Sequence, residues 1–161
     1  MSLIESVFDD MHCHVGFMSN PCQFAREAEK TQAHVLAASV TPQDYLRLSE
    51  TLSEGLPEVS AAVSPETSSE VLSCQYAKGA SSKRFTFVHS GLGIHPWWIP
   101  EDKENVNQLL NDFDGAFSGT KVIGEVGLDF SRYHLHTAEN QKEALSFIFR
   151  RCADRGGFVL S

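Results

Sequence analysis

This chain lacks a basic surplus. Its 161 residues carry 13 Lys and Arg against 21 Asp and Glu, a formal net charge of −8. A protein that holds nucleic acid by overall electrostatic attraction needs the opposite sign, so the charge counts modestly against that class. It does not exclude a nuclease, because bound divalent cations can invert the potential locally. The sequence also lacks any apolar run near the ~20 residues of a membrane span, and no signal peptide is visible. We therefore expect no membrane partner. There are only four cysteines, Cys13, Cys22, Cys74 and Cys152, widely spaced and without a Cys-x-x-Cys pair. That pattern argues against a disulfide framework and favours a reducing, cytoplasmic setting. Low-complexity segments are absent too. With 42% hydrophobic and 21% charged residues, the composition is globular. We expect a single domain over 1–161.

What is present is an alternation of strand and helix signals. Residues 7–13 read as a strand. Asn20-Pro21 is a helix start, with a capping side chain followed by proline in the first turn, and a helix over 21–31 follows. Residues 34–39 read as a buried strand, and Thr41-Pro42 repeats the start signal for a helix over 43–53. A third strand is expected over 85–94, with a break at Ser90-Gly91. A helix over 102–113 should bury Val106, Leu109, Leu110 and Phe113 on one stripe. Residues 122–125 form a fourth strand. Thr137 is expected to cap a last helix, with Leu145, Ile148, Phe149 and Cys152 inward and Gly156 ending it. Phe158-Val159-Leu160-Ser161 looks like a strand just starting. The stretch 55–84 is ambiguous: Val71, Leu72, Gln75 and Tyr76 have weak helical spacing, and 79–83 reads as a loop.

Three strand ends carry chemistry. Asp10-Met11-His12-Cys13-His14 places His12 and His14 on one face of an extended strand, because residues two apart share a side. Imidazole is a common metal ligand. Asp10 shares that face and could orient a ligand, whereas Cys13 turns away and reads as packing. Two strand histidines without a metal remain the plain alternative. Ile123-Gly124-Glu125-Val126-Gly127-Leu128-Asp129 ends a second apolar strand in a carboxylate flanked by glycines. Gly93-Ile94-His95-Pro96-Trp97 ends a third in a histidine. In parallel α/β proteins all strand C-termini lie on one face, where active sites sit.

These three segments together resemble the TatD family of metal-dependent deoxyribonucleases, within the wider group of amidohydrolase-like barrels. The resemblance spans about 7–161 and is weakest over about 56–84. It implies an α/β fold of the (β/α)8 TIM-barrel type, with this chain supplying the first four βα units and the start of a fifth strand. A complete barrel needs ~250 residues. The family's further ligands, two histidines and an aspartate, lie on later strands, so we expect the chain to be the front part of a longer barrel with part of the site missing.

The resemblance further implies His12, His14 and Glu125 as metal ligands. Glu125 would also be catalytic, bridging two divalent ions (Zn, Mn or Mg) that activate water against a phosphodiester, with DNA as the implied partner. Two other readings stay open: a related hydrolase of amides, lactones or small phosphoesters, and an inert half-barrel. An open strand edge at Phe158 would favour self-association.

Other residues are less decided. His95 reads as a phosphate contact, a support for the ligands, or a loop cap. Asp129 reads as a support for the ligands or a helix-approach cap. Trp97 and Trp98 would wall the cleft, stack on a base, or pack under a loop. Arg132, Tyr133, His134 and His136 lie on a loop bordering the expected active face. His136 reads as solvated, and His34 and His89 as structural.

Overall fold

The computed structural model describes residues 9–53 and 85–161. The weak helical signal at 71–76 and the loop at 79–83 fall outside them. Five strands alternate with four helices: β1 (Asp9–Cys13), α1 (Pro21–Thr31), β2 (His34–Ala38), α2 (Pro42–Ser53), β3 (Val88–Ile94), α3 (Lys103–Ala116), β4 (Val122–Val126), α4 (Ala138–Arg155) and β5 (Val159–Leu160). All neighbouring strands pair in parallel in the order β1-β2-β3-β4-β5. Curled into half a barrel with helices between the strands, they form the front of a TIM-type (β/α)8 architecture, as the strand–helix alternation predicts.

Local chemistry starts the helices where the sequence signals it. The Asn20 side chain accepts the Gln23 N–H at 2.9 Å, with Pro21 in the first turn. Thr41 Oγ1 accepts the Asp44 N–H at 3.2 Å, and Asp102 accepts the Asn105 N–H at 2.9 Å. Each satisfies a helix N–H that has no carbonyl partner. Gly156, at φ 69°, ends α4 as expected.

Three expectations are corrected. Thr137 precedes α4, but its hydroxyl donates to the His134 carbonyl and does not cap the helix. Phe149 is half exposed: the inward stripe of α4 runs through Gln141, Ala144 and Ile148, one helical step away. β3 is unbroken at Ser90-Gly91, which pairs in register with Ala37 and Ala38.

Two apolar clusters fill the space between sheet and helices. Leu92, Ile94 and Ile123 meet Val106, Leu110, Phe113, Ala144 and Ile148 in one. Val35, Ala37 and Val88 meet Ala25, Ala28, Leu48 and Leu52 in the other. Because side chains alternate along a strand, Gly91 and Gly93 face the concave side. That side is where the strand ends converge.

Gly93 has a particular task. Just past β2, Ser39 donates its N–H to the Gly124 carbonyl and accepts the Glu125 N–H, both at 3.0 Å. These bonds join β2 to β4 directly, over the top of β3. A Cβ at Gly93 would overlap the Ser39 carbonyl oxygen and the Glu125 nitrogen, and would lie 2.6 Å from the Glu125 oxygen. Only a residue without a side chain permits this crossing.

Gly93→Ala should therefore cost at least about 3 kcal/mol, the upper range for forcing a methyl into a packed site. Gly127→Ala is the control, since no atom lies within 4 Å of a Cβ there. Urea unfolding of both variants checks this. Equal midpoints for the two would show that the strand crossing does not need glycine.

Candidate metal centre

The sheet brings the three strand-end motifs together. Both strands that carry acid or histidine ligands have an irregular register. Asp10 and Cys13 of β1 pair with Val35 and Ala37 of β2, three steps against two. Ile123 and Val126 of β4 face Leu92 and Ile94 of β3, again three steps against two. An extra residue of this kind re-aims a side chain, and such bulges gather beside active sites. In β1 the Asp10 carboxylate accepts the His12 N–H at 3.0 Å. Asp10 thus steadies the backbone of His12 and does not reach the cluster itself.

His12 Nε2 lies 3.5 Å and His14 Nε2 3.3 Å from Glu125 Oε2. These donor atoms of His12, His14 and Glu125 all lie within 4.8 Å of one another. The other nitrogen of His12, Nδ1, is hydrogen-bonded to Ser161 Oγ at 2.8 Å, which leaves Nε2 for the cluster. A histidine tied at one ring nitrogen and free at the other is the usual arrangement of a metal ligand. Two imidazoles and a carboxylate suit first-row divalent ions. The residues present therefore fit a divalent cation. His14 Nδ1 is buried with no hydrogen-bond partner among the described residues.

Glu125 divides its two oxygens. Oε2 faces His12 and His14, while Oε1 lies 3.3 Å from His95 Nε2. His95 Nδ1 accepts the Trp97 N–H at 3.1 Å, so the neutral ring carries its proton on Nε2. Burial lowers the His95 pKa against the pull of Glu125, which favours that neutral ring. Nε2–H then faces Glu125 Oε1, so His95 is a close electrostatic neighbour of the carboxylate as well as the cap of its loop.

Asp129 stands apart from His12, His14 and Glu125. Its carboxylate accepts the Ser131 N–H at 2.7 Å and the Trp97 indole N–H at 2.6 Å. Those two bonds, led by Ser131, hold its carboxyl below the usual carboxylate range. The Trp97 indole stacks on His134 at 5.3 Å with only 9° between the planes. Trp97 and Trp98 are 61% and 58% exposed, so neither packs under a loop. The Arg132 guanidinium lies 4.5 Å from the Tyr133 ring centre. His136 pairs with Glu101 at the surface, and His34 stacks on His89 at 5.9 Å away from the cluster.

Sequence reasoning missed two residues. Ser161, which holds His12, gave no signal beyond ending an apolar run. Gln141, fully buried in α4, clamps the loop after β4. Its amide oxygen accepts the Asp129 N–H at 2.8 Å, and its nitrogen donates to the Asp129 and His134 carbonyls, both at 3.0 Å. The available signal was a glutamine on the inward stripe with Ala144 and Ile148.

The chain matches the family model described as TatD related DNase over residues 9–157. No match among curated proteins reaches significance.

Replacing Gln141 with leucine would keep the volume and strand three backbone groups of the Asp129–His134 loop. We expect a loss of about 3 kcal/mol or more, since each of the three buried polar groups left unpaired costs roughly 1–3. Chemical denaturation measures it. A loss under about 0.5 kcal/mol, the scale of an ordinary surface change, would remove the clamp from this account.

Proposed function

The chain belongs to the TatD related DNase family, and on that premise we propose that it is a metal-dependent hydrolase of phosphodiester bonds, with DNA as its substrate class. The observation that carries this reading is the convergence of His12, His14 and Glu125 at the C-terminal ends of parallel strands. That is the face on which barrels of this type do chemistry.

His12 Nε2, His14 Nε2 and Glu125 Oε2 would hold a divalent ion, with zinc, manganese and magnesium all acceptable to the donor set. Such an ion supplies water activation and charge neutralisation on phosphate oxygens. The protein's own part is to fix the donors. Ser161 turns His12, Asp10 holds its backbone, and His95 keeps Glu125 Oε1 engaged so that Oε2 faces the histidines. Glu125 would have a second oxygen to offer a second ion; in this structure Oε1 lies 3.3 Å from His95 Nε2 while Oε2 faces the two histidines.

The test uses chain stripped with EDTA and reloaded with each metal in turn. Calorimetry should give one tight equivalent, weakened at least about 100-fold in Glu125→Gln, the upper end of what losing even an outer partner does. Hydrolysis of bis(4-nitrophenyl) phosphate and of DNA should stop with EDTA, return with metal, and fall about 100-fold or more in the variant. Turnover of an amide or lactone with both phosphodiesters untouched would sink this reading, as would metal binding indifferent to Glu125.

A further inference from the structure

The proposed chemistry leaves one feature beside the cluster unused, the Trp97 indole. Trp97 is held at both ends. Its backbone N–H is donated to His95 Nδ1, and its indole N–H to Asp129 Oδ2. His134 stacks parallel to the ring at 5.3 Å, and the His95 ring stands nearly perpendicular to it at 5.1 Å. Asp129 is itself anchored through its backbone to buried Gln141. Four residues thus fix the plane of a ring that is still 61% exposed. The indole N–H is satisfied while most of the residue stays open to solvent, and an amphipathic ring in that setting is suited to stacking. The His95 imidazole neighbours both groups, with its centre 5.1 Å from the Trp97 ring and its Nε2 3.3 Å from Glu125 Oε1.

We infer that Trp97, fixed by Asp129 and His134, is the stacking platform for an unpaired nucleobase whose phosphate lies at the His12–His14–Glu125 cluster. This rests on the phosphodiesterase reading for the position of the phosphate, but not for the stacking. The ligand chemistry follows from shape and charge. A planar π-system matches a fixed indole face, and every base has one. A net charge of −8 counts against an affinity built on many phosphate contacts. Arg132 lies against Tyr133 on the same loop and meets no carboxylate among the described residues, so it offers one local cation for the backbone of such a strand.

The experiment measures binding alone, in EDTA, where nothing is cleaved. The probes are a fluorescent single-stranded oligothymidylate and its abasic counterpart with the same phosphates. The wild-type chain should prefer the base-containing probe by about 5- to 100-fold, the range for one stacked base, with a shallow dependence on salt. Trp97→Leu should erase the preference.

The chain has only two tryptophans, so Trp98→Leu leaves Trp97 as sole tryptophan. Its fluorescence should then be quenched by oligothymidylate and not by the abasic probe, which tests the idea even if Trp97→Leu fails to fold. Equal affinity of the wild type for both probes would overturn the proposal. So would an unquenched Trp97, or a preference surviving in folded Trp97→Leu. If the nitrophenyl ester and DNA are not hydrolysed but the preference stands, it is the phosphodiesterase reading that fails and the platform that survives.

Discussion

The geometry of the centre depends on a backbone crossing made possible by one missing side chain. Gly93 lets the Ser39 backbone pass over β3 and exchange two hydrogen bonds with Gly124 and Glu125. Without that exchange, β2 and β4 would be held only through β3, and Glu125 would rest on an irregular register alone. With it, three strands are tied at the point where the carboxylate leaves the sheet. The same tie places His95, whose N–H is donated to the Val40 carbonyl at 2.9 Å, within reach of that carboxylate. A steric permission in one strand thereby becomes electrostatic order in another.

From that tie the centre is arranged in rings of decreasing constraint. Glu125 is held at its backbone by Ser39 and at one oxygen by His95, leaving the other for the histidine pair. His95 is held in turn by the Trp97 N–H, and Trp97 by Asp129. Asp129 is fastened to α4 through Gln141, a fully buried side chain. The loop after β4 and the turn after β3 are therefore one hydrogen-bonded unit, anchored in a helix that buries Ala144 and Ile148 in the core. Loops carrying function on a rigid scaffold need such anchors, because their own backbone groups would otherwise face water. The negative chain as a whole gains a site in which carboxylates are directed at donors and not at one another.

Much of this was legible in residue order. The short apolar run from His34 and the capping residues Asn20 and Thr41 placed strands and helices within a few residues of their positions, because these signals act over one turn or one short run of residues. His12, His14 and Glu125 were legible as strand-end ligand types. The inward face of α4 was read correctly at Ile148 and misjudged at Phe149: Phe149 is more apolar than Gln141, but the core took Ala144 and Ile148, and the loop after β4 claimed the glutamine. Thr137 was misjudged because a hydroxyl before a helix can serve either the helix or the preceding loop, and the His134 carbonyl was nearer.

By itself, then, the sequence determined the βα alternation and most helix ends and pointed to three candidate donors, since each depends on neighbours close along the chain. Only the tertiary structure decided which oxygen of Glu125 meets which histidine, that Asp10 serves the His12 backbone, that Asp129 holds an indole, and that Ser161 reaches His12. Each of those joins residues far apart in sequence or turns on an added residue in a strand. Such contacts are set by how strands curl and which side chains are absent, and the clearest of them rests on an absence, the hydrogen atom that Gly93 carries in place of a side chain.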